Sequence, residues 1–129
     1  MGERLKILLV EDNLLNQRIV TFSLKKYNHE VTIANNGLEA VQIFRTNKFD
    51  VILMDIMMPV MDGLEATIQI REDEKISNSD SRTPIIALTA NTMDNDRDTC
   101  ISYGMDDFMS KPFDIEKLNV IFSELNIIS

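Results

Sequence analysis

Two kinds of apolar pattern alternate along the chain. Short unbroken runs rich in Ile, Leu and Val occur at Lys6-Ile7-Leu8-Leu9-Val10, Val31-Thr32-Ile33-Ala34, Val51-Ile52-Leu53-Met54 and Pro84-Ile85-Ile86-Ala87-Leu88. Each reads as a strand. The first, third and fourth show no polar alternation, which is the mark of strands covered on both faces in a parallel sheet. A weaker fifth strand is expected at residues 106–110, mainly from the rhythm of the chain. Between the runs lie helical patterns. Leu15, Ile19 and Phe22 form one apolar face of a helix that Asn13 could cap. Ala40, Val41 and Phe44 repeat the pattern after the turn signal Asn36-Gly37. A shorter helix is expected from Gly63 to Arg71 and a polar one from Thr92 to Tyr103. A last helix carries the stripe Ile115, Leu118, Phe122 and Leu125, with Asp114 as N-cap. The polar, Ser-rich stretch Glu72 to Thr83 reads as a surface loop. The resulting β-α alternation with short connections predicts an α/β fold, a doubly wound five-stranded parallel sheet with helices on both faces.

Composition narrows the class. The chain has 129 residues, 44% of them apolar, which suits a single domain over residues 1–129. Its formal net charge is −8, against nucleic acid or anionic lipid as direct partner, since both require cationic surface. One cysteine allows no internal disulfide, no apolar run reaches the roughly 18 residues needed to span a bilayer, and the N-terminus lacks a signal-peptide core. The expectation is a cytoplasmic domain with no membrane partner.

In a doubly wound sheet, ligands bind beyond the carboxyl ends of the strands. Glu11 and Asp12 follow the first strand, Asp55 the third, Thr89 the fourth and Lys111 the fifth. Three carboxylates, a hydroxyl and an ammonium therefore converge on one rim. Three carboxylates so close repel one another unless a cation intervenes. Hard oxygen ligands suit Mg²⁺, which keeps several waters and favours phosphate oxygens. The set meets the needs of phosphoryl transfer: a metal, a carboxylate nucleophile, an ammonium clamp and a hydroxyl donor.

These residues sit in motifs that resemble the response-regulator receiver domains of two-component signalling. The motifs are Leu9-Val10-Glu11-Asp12-Asn13, Met54 through Gly63, Pro84 through Ala90, and Gly104 through Pro112, and the resemblance covers about residues 5–125. It implies a flavodoxin-like (β/α)5 receiver fold and a phospho-accepting switch. By the same resemblance Asp55 is the phosphoacceptor, and Glu11, Asp12 and Asp55 hold Mg²⁺ together with the backbone carbonyl of Met57. Lys111 pairs with the acceptor and then with the phosphoryl group, and Pro112 follows it through a cis peptide bond. Thr89 and Phe108 form the switch pair, relaying to the face of the fourth helix, fifth strand and fifth helix. The donor it implies is a histidine kinase or a histidine phosphotransfer protein; the downstream protein partner is not named by the sequence. The wording around Asn16-Gln17, Ala87 through Asn91 and Cys100 is similar to receivers of hybrid histidine kinases. The first helix, with Leu14 and Gln17 near the site, is the natural docking surface for the donor.

Three other readings use the same residues. A Mg²⁺-dependent phosphohydrolase would want a second acid two positions after Asp55, where Met57 stands, so the chain is expected not to be an enzyme beyond its own phosphorylation and dephosphorylation. A flavin or nucleotide carrier would want a Gly- or Ser/Thr-rich cradle after the first strand, where Glu11-Asp12 would repel phosphate. A pseudo-receiver that binds partners without phosphorylation is argued against by the complete residue set. His29, the single histidine, sits at a turn before the second strand and has no companion for metal binding or Ser-His chemistry. Cys100 is expected beneath its helix and Met54 in the core.

Overall fold

Five strands form one sheet with all neighbours parallel, in the order β2-β1-β3-β4-β5. They are β1 (Lys6–Val10), β2 (Glu30–Ala34), β3 (Val51–Asp55), β4 (Ile85–Thr89) and β5 (Asp107–Ser110). The connecting helices are α1 (Leu14–Lys26), α2 (Gly37–Thr46), α3 (Gly63–Ile76), α4 (Asp96–Ser102) and, after β5, α5 (Ile115–Glu124). These come from a computed structural model that describes residues 4–56, 58, 60–77, 82–89, 96–110 and 113–127. The predicted polar helix is thus seen from Asp96 onward, its expected start at Thr92 lying outside the described residues.

The unbroken apolar runs follow from the layering. Side chains of a strand alternate between faces, and here both faces are covered. Ile7, Leu9, Val51, Leu53, Ile86 and Leu88 pack with Val20 and Leu24 of α1 and with Leu118, Ile121 and Phe122 of α5. Their neighbours Leu8, Val10, Ile52, Met54, Ile85 and Ala87 pack with Ala40 and Val41 of α2, Ala66 and Ile70 of α3, and Cys100 of α4. The edge strands β2 and β5 are only partly covered, which is why their sequences are mixed. Asn13, Asn36, Asp62 and Asp114 cap α1, α2, α3 and α5, each accepting a backbone N–H of the first turn.

Two expectations are corrected. Leu15, Ile19 and Phe22 do not face the core: all three are exposed, and α1 buries Gln17, Val20 and Leu24 instead. Gln17 can lie inside because its amide donates to the Glu11 carbonyl at 2.6 Å and to Asn35 Oδ1 at 2.9 Å. It is therefore an internal strut, not part of a docking surface. The stretch after Arg71 is not loop at its start, since α3 runs on to Ile76. Glu and Lys are good helix formers, and Arg71 Nη1 donates to Glu74 Oε1 at 2.8 Å within that last turn. The same guanidinium reaches the Gly104 and Thr83 carbonyls and Asp106 Oδ2 at 2.8–2.9 Å, tying α3 to the strand-entry rim.

Candidate functional site

The strand order reverses direction between β1 and β3, and the register there decides the site. Val10 stands opposite Met54, so Glu11, the next residue, comes beside Asp55 at the end of β3. Asp55 in turn pairs with Leu88, which brings Thr89 to the same rim. Glu11, Asp12 and Asp55 each offer a carboxylate oxygen, and these oxygens lie within 4.8 Å of one another. Glu11 and Asp55 are buried, while Asp12 is exposed and forms the open side. Thr89 is buried beside them at the end of β4.

The local sequence holds this arrangement. The Glu11 N–H donates to the Ala34 carbonyl at 3.0 Å, and Gln17 grips the Glu11 carbonyl from α1. The loop after Asp55 closes by the Gly63 N–H donating to the Ile56 carbonyl at 2.8 Å. A Cβ at Gly63 would collide with the Asp55 carbonyl oxygen and the Ile56 Cα, so only glycine lets α3 start this close to the acidic strand end. On its far side the loop is held by the Gly37 N–H, which donates to the Met61 carbonyl at 3.0 Å.

The carboxylate set fits a magnesium ion. In octahedral coordination at 2.0–2.1 Å, ligand oxygens stand at most about 4.2 Å apart. Oxygens already gathered within 4.8 Å need only small side-chain rotations to reach that spacing. All three are hard donors, and the exposed side leaves room for water and phosphoryl oxygens.

The structure thus brings together Glu11, Asp12, Asp55 and Thr89. Phe108 lies one strand away on β5, half-buried against the α2–α3–α4 side of the core. Met57, Lys111 and Pro112 lie outside the described residues. Sequence reasoning missed Gln17 and Asn35 as supports for the acidic pair. Their signal is a polar side chain at a helix position three before Val20, where an apolar one is expected, followed by an asparagine just beyond β2. It also missed the crowding at Gly63, which only the tertiary contact reveals.

Comparisons with known proteins agree with this geometry. Residues 7–123 match the family model described as response regulator receiver domain. Histidine kinase 5 of Arabidopsis thaliana is 41% identical over 135 residues, and hybrid signal transduction histidine kinase B of Dictyostelium discoideum is 46% identical over 114. The matches take in 88% and 83% of this chain but 15% and 6% of those relatives, so the chain spans a small part of the proteins it matches. The receiver domain of sensor histidine kinase PA1611 of Pseudomonas aeruginosa, with a magnesium ion coordinated in its active site cleft, superposes with a TM-score of 0.82 at 40% identity. That match covers 95% of this chain and 97% of the other. A TM-score of 0.86 at 33% identity is reached in the Saccharomyces cerevisiae complex of the histidine phosphotransfer protein Ypd1 with the receiver domain of its downstream response regulator Ssk1, covering 96% of this chain and 90% of that one. In sequence, sheet order and acidic rim alike, this chain belongs to the response regulator receiver domain family, the signalling switches of phosphorelays rather than classical enzymes.

Proposed function

We propose that residues 1–129 act as one receiver unit in which Asp55 accepts a phosphoryl group from a phosphohistidine. The observation that carries this reading is the meeting of Glu11, Asp12 and Asp55 within 4.8 Å at the reversal between β1 and β3. A carboxylate oxygen of Asp55 attacks phosphorus, the P–N bond to the donor imidazole breaks, and its electron pair returns to the imidazole nitrogen. The product is an acyl phosphate on Asp55. Glu11, Asp12 and Asp55, with the Met57 carbonyl, would hold Mg²⁺, which when bound would supply positive charge to neutralise the phosphoryl oxygens. Lys111 supplies a second positive charge to that group. With Met57 where a hydrolase would place a second acid, turnover is limited to slow loss of the protein's own phosphoryl group.

The switch follows from the same charge. A hydrogen bond to a charged group contributes about 1.5–3 kcal/mol. Two of them, from Thr89 and Lys111, supply about 3–6 kcal/mol, while moving a population from 1:99 to 99:1 takes about 5.5 kcal/mol. Thr89 drawn inward vacates space for Phe108 and alters the face made by α4, β5 and α5.

The donor, a histidine kinase or a histidine phosphotransfer protein of the cytoplasm, docks on α1. Leu14, Leu15, Ile19 and Phe22 are exposed there. The helix also carries Arg18, Lys25 and Lys26 with no acid, on a chain whose net charge is −8. No helix among the described residues is long and apolar enough to cross a membrane.

The test is intact mass after incubation with Mg²⁺ and a small phosphodonor. The parent gains one phosphoryl group, dependent on Mg²⁺, and Asp55→Asn gains none. Labelling of Asp55→Asn at the parent level would remove Asp55 from its role.

A further inference from the structure

Gln17 is 6% exposed, and the residues buried with it on the inner face of α1, Val20 and Leu24, are apolar. A buried amide is unfavourable there unless its hydrogen bonds are made. Both protons of Nε2 are engaged, one on the Glu11 carbonyl at 2.6 Å and one on Asn35 Oδ1 at 2.9 Å. Asn35 carries the contact onward: its Nδ2 and its backbone N–H both donate to Glu39 Oε1 at 3.1 Å. Glu39 is fixed in turn by the first turn of α2, where its own N–H donates to Asn36 Oδ1 at 2.9 Å. An ionised carboxylate can only accept. Glu39 therefore claims the Asn35 amide N–H, which leaves Asn35 Oδ1 facing Gln17 and turns the Gln17 amide with its donors toward both acceptors. The chain of bonds has one direction, and it meets Glu11 at the backbone rather than at the carboxylate.

That placement bears on which cation the acidic cluster takes. Opposite oxygens stand at most about 4.2 Å apart around Mg²⁺ and about 4.6–5.2 Å apart around Ca²⁺. The oxygens of Glu11, Asp12 and Asp55, gathered within 4.8 Å, allow both ions, and their mutual repulsion acts to widen the set. Preference for the smaller ion then depends on what stops Glu11 from moving outward. Its N–H is tied to the Ala34 carbonyl, and its own carbonyl is tied to Gln17. We infer that Gln17 and Asn35, anchored on Glu39, form a positioning relay that makes the cluster selective for Mg²⁺ over Ca²⁺, by holding the Glu11 backbone against the repulsion of the three carboxylates. This rests on the reading of the cluster as the Mg²⁺ site beside a phosphoacceptor. A methionine or leucine would suit the inner face of α1 as well as its neighbours do. The glutamine is explained by the carbonyl it holds.

The experiment titrates the metal-free parent, Gln17→Met and Asn35→Ala with MgCl2 and, separately, with CaCl2 at constant ionic strength, following backbone amide shifts by NMR. Both ions carry the same charge, so a change in electrostatic potential or a general loss of stability weakens them alike. Loss of positioning falls instead on the ion with the stricter geometry. The parent is expected to bind Mg²⁺ more tightly than Ca²⁺. Gln17→Met keeps the length of the side chain and removes both donations. It should raise the Kd for Mg²⁺ about tenfold, the lower end for partners that orient metal ligands, and the Kd for Ca²⁺ less than about threefold. Asn35→Ala changes an exposed residue, leaves the core intact and should shift the ratio in the same sense by a smaller factor. It decides the matter alone where Gln17→Met does not fold. A ratio of the two Kd values unchanged from the parent in either folded variant overturns the relay, as does a parent that binds Mg²⁺ no more tightly than Ca²⁺. A parent whose amides respond to neither ion overturns the reading of the cluster as a Mg²⁺ site, and the relay falls with it.

Discussion

Removing one charge from the acidic cluster should stabilise the metal-free protein and nearly abolish its response to magnesium. Asp12→Asn is the suitable perturbation, because Asp12 is the exposed member of the three and its amide is isosteric. Two unit charges 4.8 Å apart repel by about 0.9 kcal/mol in water and about 3.5 kcal/mol at an effective dielectric constant of 20. Asp12 takes part in two of the three pairs, so its neutralisation removes between about 2 and 7 kcal/mol of repulsion. Its exposure favours the low end, about 2 kcal/mol, and the separation is shorter than the ~8 Å Debye length of physiological salt, so the effect survives there. For a domain of this size that is about 8 °C in melting temperature. Magnesium acts in the opposite sense on the parent. At a hundred times its Kd, a ligand stabilises the folded state by about 2.7 kcal/mol, or about 11 °C. If loss of one carboxylate weakens binding about a hundredfold, the same concentration gives Asp12→Asn about 0.4 kcal/mol, or 2 °C. The assay is thermal unfolding by circular dichroism, with EDTA and with Mg²⁺, on both proteins. A metal-free Asp12→Asn melting at or below the parent would refute the electrostatic argument. Equal magnesium shifts in the two proteins would refute the assignment of Asp12 as a ligand.

Arg71→Met should cost about 3 kcal/mol, the lower end for breaking a buried ion pair, since its side chain is 12% exposed and Asp106 keeps Arg82 at 3.2 Å. Urea unfolding measures this, and a loss below about 1 kcal/mol would place the network among solvated surface pairs. His29 is buried, its Nδ1 accepting the Leu5 N–H at 3.1 Å, and burial pushes its pKa below the ordinary 6.5. Its contribution to stability is therefore complete above pH 6.5 and is lost as pH falls through the folded-state pKa. As the chain's single histidine it gives one imidazole titration by NMR, and a midpoint at or above 6.5 would contradict the burial argument. Lys111→Ala should still label at Asp55 but fail to change the α4–β5–α5 face, which amide exchange with and without phosphodonor would detect.

The two outcomes for α1 and α3 show where periodicity stops being informative. Leu15, Ile19 and Phe22 have helical spacing, but so do Gln17, Val20 and Leu24, and the second set is buried. A polar residue in the inner set hides it, because nothing in the spacing says that Gln17 will find the Glu11 carbonyl and Asn35. Likewise the apolar pattern fades at Arg71, yet α3 continues to Ile76 on charged residues whose partners, Gly104, Thr83 and Asp106, are distant in sequence. His29 at a turn is buried for the same reason, with the Phe122 ring of α5 edge-on to it at 6.2 Å.

The sequence by itself determined the alternation of strands and helices, the parallel sheet and the caps Asn13 and Asp114, because these depend on neighbours within a few residues. It also determined which residues end the strands, and so the chemistry available at one rim. Tertiary structure alone decided the strand order, which face of α1 turns inward and how close the three carboxylates come. Each of those is set by contacts between segments far apart in the chain, where the energy of burial, register and hydrogen bonding outweighs local preference.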